Sequence, residues 1–300
     1  MKYRITHQTT YRYEEAVTVC HNEAHLIPRN SPQQRCLNYR LDIFPAPGAR
    51  SEREDFFGNR AVYYAIDVPH DLLRVTATSE VSLESPGAQL PLGAGVPWQE
   101  ALRRLHGELS ADNLDARQYL LDSPMAGITA EIKRYAAPAF REHRPVAEVV
   151  RELMSRIHHD FTYDPDFTTI ATPLSEVLEH RRGVCQDFAH LQIACFRAMK
   201  LPARYVSGYL LTKAPEGREK LIGADASHAW LSVWCPGYGW VDLDPTNNLI
   251  PTDEHVLLAW GRDYGDVSPV NGVIFGGGEH VIDVSVDVRS LPDTGIVTMR

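Results

Sequence analysis

The chain is 300 residues long, and its 30 basic and 39 acidic side chains leave a net charge of −9. With 44% hydrophobic and 23% charged residues it reads as a globular protein with room for about two domains, not as a disordered one. The acidic balance argues against nucleic-acid binding, which needs a basic face to neutralise phosphates, and no apolar run reaches the roughly 18–20 residues of a membrane span.

The opening stretch MKYRITHQTTYRY alternates polar and apolar residues and lacks the apolar core of a signal peptide. Five cysteines without a CxxC pair do not make a disulfide framework, so a reduced, cytoplasmic protein is expected. Residues 1–90 read as an all-β, sandwich-like domain. Lys2–Tyr13 alternates, Leu37, Tyr39, Leu41 and Ile43 share a face, and Ala61–Val68 and Leu73–Leu83 are apolar-rich. In the last of these, Leu73, Val75, Ala77, Val81 and Leu83 are in phase, and Pro45–Gly48 and Phe57-Gly58-Asn59 supply turns between the strands.

Residues 91–144 hold the end of a Pro- and Gly-rich linker (Ser85–Pro97) and then helices over 98–109, 114–121 and 128–138. A further helix over 145–159 carries an apolar stripe of Val146, Val149, Val150, Leu153 and Ile157. Short and long helices follow over 173–181 and from Cys185 to about Lys200, the latter ended by Leu201-Pro202. Three strands come next, Ala203–Leu211, His228–Trp234 and Trp240–Thr246, completing a unit over 145–250. The tail, 251–300, reads as loops (Gly261–Gly265, Gly276–Gly278) and one strand, His280–Val288, packing on that unit. Helices and strands in separate blocks predict an α+β fold.

Cys185 follows Gly183-Val184 at a helix start, where unpaired N–H groups favour a thiolate. The bland alternative is a buried packing cysteine, sharing a helix sector with Phe188, Gln192, Phe196 and Met199; Cys195, mid-helix, reads as packing. The hairpin beyond it carries a base. With Cys235–Gly239 as its loop, Trp234 faces Trp240 and Trp230 faces Asp244, with His228 the diagonal neighbour of Asp244. Parity supports that register: Ala229, Leu231, Val233, Val241 and Leu243 fall on one face, and His228, Trp230, Ser232, Trp234, Trp240, Asp242 and Asp244 on the other. A helix-tip thiol with a carboxylate-oriented histidine has the form of a nucleophile, base and orienter. Asp225, just before His228, reads as a loop cap. His158-His159-Asp160 invites a metal, but adjacent helical histidines point about 100° apart and HExxH is absent. Neither metal nor cofactor is expected.

Four segments resemble the transglutaminase-like family in order: Gly183–Leu191 (GVCQDFAHL), Pro202–Tyr209 (PARYVSGY), Asp225–Trp230 (DASHAW) and Gly239–Thr246 (GWVDLDPT). The intervals from Cys185 to His228 and on to Asp244 are 43 and 16 residues. The Tyr-rich N-terminal region and the tail GRDYGDV resemble the bacterial subgroup with an extra N-terminal β domain. The resemblance implies a papain-like core, its Cys helix packed on an antiparallel sheet, with Cys185 as nucleophile, His228 as base and acid, and Asp244 as orienter. Tyr163, Gln186 and Trp230 are candidates for the oxyanion site or cleft; packing is the alternative for Tyr163 and Trp230, and the Gln186 side chain points about 100° away from Cys185 around the helix. The implied chemistry is acyl transfer at amide bonds of a peptide or protein, with hydrolysis expected ahead of Gln–Lys cross-linking. A non-catalytic binding or scaffold protein is the alternative from another class.

Overall fold

The computed structural model describes residues 1–84, 95–211 and 227–292. Its first unit is a seven-stranded antiparallel sheet built around one long strand, β1 (Lys2–Ala24). The others from this region are β2 (Gln34–Phe44), β3 (Ala49–Glu54), β4 (Arg60–Ile66) and β5 (His70–Leu83). A register shift between Arg12 and Val17 lets β1 change partners: its first half pairs β5, and its second half pairs β4. The strand thus joins both halves of the one sheet, whose core includes Val17, Leu26, Leu41, Tyr64, Ile66, Leu73 and Val75. The in-phase residues of β5 are all buried. Leu37 is not with its set. A bulge between Cys36 and Asn38 turns it out, 51% exposed, while Leu41 on the same strand stays inside.

Six helices follow, α1 (Trp98–Gly107), α2 (Ala111–Arg117), α3 (Ala130–Ala136), α4 (Val146–Asp160), α5 (Leu174–His180) and α6 (Cys185–Ala198). Two-residue strands β6 (Thr162–Tyr163) and β7 (Arg182–Gly183) flank α5 and pair in parallel. The second sheet has the order β10-β9-β8-β11, with β8 (Ala203–Leu210), β9 (Ser227–Cys235), β10 (Gly239–Leu243) and β11 (His255–Gly261). The α4 stripe is wholly buried and shares one core with α3, α6 and this sheet. Helix α6 is enclosed nearly all round, burying its polar Asp187, His190, Gln192 and Arg197 along with its apolar residues. Cys195 is buried in that core as expected, and burial pushes its thiol up.

The tail differs from the single strand expected. It supplies β11 to the second sheet, while β12 (Val270–Gly276) and β13 (His280–Leu291) pair β1 in the first. Gly276, Gly277 and Gly278, all at positive φ, make the turn between them. Val286 and Val288 join Tyr3, Ile5, Val81 and Leu83 in the core of the second unit, so the two units share apolar packing. Among the described residues no helix is long and apolar enough to cross a bilayer. Residues 85–94 of the expected linker, Asp225 and residues 293–300 lie outside the described residues.

Candidate active site

Cys185 opens α6, and the turn before it is built for that purpose. Val184 donates its N–H to Asp187 Oδ2 at 2.8 Å, and Thr168 Oγ1 donates to the same oxygen at 2.7 Å. The first intrahelical bond runs from Phe188 N–H to Val184 O, so the Cys185 amide lies ahead of the helical ladder and points outward. Gly183 is required here: a Cβ would sit 2.7 Å from Asp187 Oδ2. Burial raises the Asp187 carboxyl, with the Val184 and Thr168 hydrogen bonds opposing it.

The β9–β10 hairpin has the register read from parity, Trp234 opposite Trp240 and Leu231 opposite Leu243. Beyond it, Asp244 turns into an isolated bridge with Leu249. His228 Nε2 donates to Asp244 Oδ2 at 2.8 Å, and the Cys185 thiol lies close enough to the same ring to raise its imidazole. Cys185, His228 and Asp244 are therefore brought together from a helix tip, a strand and a hairpin end. Burial would lower the His228 imidazole, but the hydrogen bond to Asp244 and the neighbouring Cys185 outweigh it and push the ring up to about 10. For Asp244, burial opposes ionisation, yet hydrogen bonds from His228 and His255 hold it well below the usual carboxylate range. The arrangement favours an imidazolium paired with the Asp244 carboxylate, beside the Cys185 thiol.

His255, absent from the sequence reading, is the addition. It lies on β11 opposite Leu210 and reaches Asp244 Oδ2 through Nε2 at 3.1 Å. Asn247 Nδ2 donates to the same oxygen at 2.8 Å, while Oδ1 accepts from the Thr246 and Asn247 backbone amides at 3.0 and 3.1 Å. The only available sequence signal is a histidine starting an apolar run, which says nothing about what lies opposite.

Trp230 is 1% exposed, so it is a wall rather than an open cleft surface. Its ring stacks beside His228 (centroids 6.1 Å, 28°) and meets His255 edge-on (5.3 Å, 83°), and its Nε1 donates to Asp242 Oδ2 at 3.2 Å. Gly208 makes the space, since a Cβ there would lie 2.4 Å from the indole. Trp234 instead packs with Leu105, Ala116 and Trp240 under α1 and α2, donating to Asn113 Oδ1 at 3.0 Å. Neither tryptophan forms the floor of an open groove. Tyr163 is brought alongside Gly183 by the β6–β7 pair and is 55% exposed; burial and the Cys185 charge raise its hydroxyl. Gln186 is half-buried one residue beyond the thiol.

His158 and His159 engage separate carbonyls, Thr246 O at 2.9 Å and Ser155 O at 2.6 Å, with their rings 86° apart. Among the described residues the ligand-type atoms that converge are instead those of His228, Asp244 and His255, within 4.8 Å of one another. Three N–H donors already converge on Asp244 Oδ2, so that geometry is one of hydrogen bonding, and an ion would have to displace them.

A family model of the bacterial transglutaminase-like N-terminal region matches residues 3–82, and one of the transglutaminase-like superfamily matches residues 133–245. An uncharacterized protein of Mycobacterium tuberculosis is 46% identical over 295 residues, spanning 96% of this chain and 92% of that one. The crystal structure of a candidate cysteine protease from Cytophaga hutchinsonii has the same fold, with a TM-score of 0.77 at 22% identity over 98% of this chain and 92% of its own. A protein-glutamine gamma-glutamyltransferase of Pseudomonas aeruginosa is 28% identical over 158 residues, covering 51% of this chain and 23% of that enzyme.

Proposed function

Because this chain belongs to the transglutaminase-like superfamily, with the bacterial N-terminal region ahead of its core, we propose that it is a cysteine-dependent acyl-transfer enzyme that cleaves amide bonds of peptides or proteins. The observation that carries the reading is the His228–Asp244 hydrogen bond with the Cys185 thiol beside that ring, at the first turn of α6.

Cys185 sulfur attacks the amide carbonyl, forming the S–C bond. The Cys185 N–H donates to the oxyanion, worth about 3 kcal/mol where such a donor is well placed. His228 gives its proton to the departing nitrogen as the C–N bond breaks, leaving a thioester and a free amine. Water then attacks, one of its protons passes to His228, and the S–C bond breaks to restore the thiolate–imidazolium pair and release a carboxylic acid, which gives its own proton to solvent. Tyr163, beside the thiol, is the side chain we assign as second oxyanion donor. Hydrolysis is favoured over transfer to an amine because Cys185 is only partly buried and Tyr163 is 55% exposed, so water has access to the thioester. The similarity to the Pseudomonas enzyme favours the second reading, Gln–Lys cross-linking by an amine in place of water.

Peptide and isopeptide libraries incubated with the wild type and Cys185→Ala separate these readings. Amine or ammonia release without amine incorporation, abolished by Cys185→Ala, is expected. Incorporation of a labelled amine at glutamine establishes cross-linking instead, and turnover that survives Cys185→Ala removes the nucleophile. Iodoacetamide near neutral pH should label Cys185 ahead of Cys20, Cys36 and Cys195.

A further inference from the structure

We propose that His255 is a positioning residue of this site, a second imidazole that donates to Asp244 Oδ2 beside His228 and holds the carboxylate aimed at the catalytic ring. The inference rests on the reading of Cys185, His228 and Asp244 as a catalytic set.

Asp244 sits at the end of a hairpin, where a side chain on a short turn could rotate about χ1 and χ2. Its Oδ1 is fixed by two backbone amides of its own turn, but Oδ2, the oxygen that meets His228, is held only by side chains. One is Asn247, from the same turn. The other is His255, which comes from a different strand and so ties the turn to the sheet. His255 is itself immobilised, since its backbone pairs Leu210, its N–H donates to Thr252 O at 3.3 Å, and its ring meets Trp230 edge-on.

Which nitrogen of His255 carries the proton follows from its surroundings. Nε2 faces a carboxylate oxygen, which only accepts, so Nε2 is the protonated nitrogen. Nδ1 is buried, with no hydrogen-bond partner among the described residues. A packing role alone would be served better by phenylalanine, which brings the same ring shape without a stranded acceptor. The polar ring is explained by the one hydrogen bond it makes.

The test uses the full chain and the rate of Cys185 alkylation by iodoacetamide across about pH 5 to 9, which needs no substrate. His255→Phe keeps the ring and removes the donor, so the carboxylate loses its aim and His228 its support. Alkylation should fall roughly tenfold on the acidic side of neutrality and meet the wild type at alkaline pH, where the thiol ionises unaided. His255→Gln, whose Nε2 reaches the same oxygen, should return the rate to within about threefold. A His255→Phe profile that superimposes on the wild type, or a glutamine variant no better than phenylalanine, overturns the proposal. Where His255→Phe does not fold, ¹⁵N-histidine NMR of the wild type decides: an Nε2-protonated His255 ring is expected, and an Nδ1-protonated one overturns it. Asp244→Asn runs alongside. No response there sinks the catalytic set itself, whereas a response there with none at His255 sinks only this inference.

Discussion

Asp244 concentrates the electrostatics of the site in one side chain. It is fully buried, which opposes ionisation, yet five N–H groups from four residues converge on its two oxygens. Its folded carboxyl is therefore depressed below the ordinary 3.8, and a depressed carboxyl stabilises the fold above its unfolded pKa and loses that contribution as pH falls. Urea unfolding of the wild type and Asp244→Asn should show the largest stability gap above about pH 5. The gap should narrow as pH drops below about 4, by up to roughly 1.4 kcal/mol per pH unit. A gap independent of pH would mean that the carboxylate is not selectively ionised in the folded state. The Asp244–His228 pair was legible because a hairpin loop fixes parity and parity fixes which side chains share a face. His255 was not, because its approach depends on β11 returning to pair β8, a contact that no local pattern encodes.

Strands with in-phase apolar residues were legible for the same reason as the hairpin, as β5 illustrates. Strand β3 (ARSERE) was not: every residue is exposed, and it is an edge strand whose charges blunt further pairing, so it has no hydrophobic period to read. Strand β12 was missed as well, because its outward residues Val273 and Phe275 are apolar and erase the alternation. Helix α6 was placed correctly, and two buried polar groups hold it. Asp187 caps its start, and at its end Arg197 donates to Tyr119 O, Ala203 O, Arg262 O and Ser123 Oγ. Two glycines set how close the elements come. At Gly208 on β8 a Cβ would lie 2.1 Å from Val256 O and 2.4 Å from Trp230, one of them backbone of the adjoining strand. Gly208→Ala should therefore cost about 1–3 kcal/mol in urea unfolding and slow Cys185 alkylation by displacing the wall behind His228. Gly183→Ala pushes only on the Asp187 side chain, so it should disturb the thiol more than the global stability. Wild-type alkylation in Gly183→Ala would show that the Asp187 cap does not set the position of Cys185.

At the scale of the whole molecule, the N-terminal sheet braces the strand that carries His255. Among the described residues strand β11 is the outer edge of the second sheet, with its outward backbone groups unpaired by any neighbouring strand. Two side-chain amides from the first unit replace that strand. Gln34 accepts from Leu257 N–H at 2.8 Å and donates to Leu257 O at 2.7 Å, and Asn59 does the same for Trp260 at 2.9 and 2.8 Å. Around them the indole of Trp260 lies between the guanidinium groups of Arg29, 3.5 Å from the ring centroid, and Arg204, at 3.6 Å, and Arg204 also stacks on Trp240 at 4.1 Å. His7 of β1 adds a direct bond to the Tyr209 hydroxyl of β8 at 2.9 Å. Such a brace explains why the first unit is packed into the core of the second rather than tethered to it. Replacing Gln34 or Asn59 by alanine leaves two partly buried backbone groups of β11 without their side-chain partner, at up to about 1–3 kcal/mol for each group that water cannot reach. The double variant should lose protection against hydrogen exchange at the Leu257 and Trp260 amides ahead of those in α6. With the edge of β11 loosened, the hold of His255 on Asp244 weakens, and Cys185 alkylation should slow although no residue of the second unit has changed. Unaltered exchange at both amides would show that β11 holds its place without the N-terminal sheet, and that this unit does no more for the site than share its apolar core.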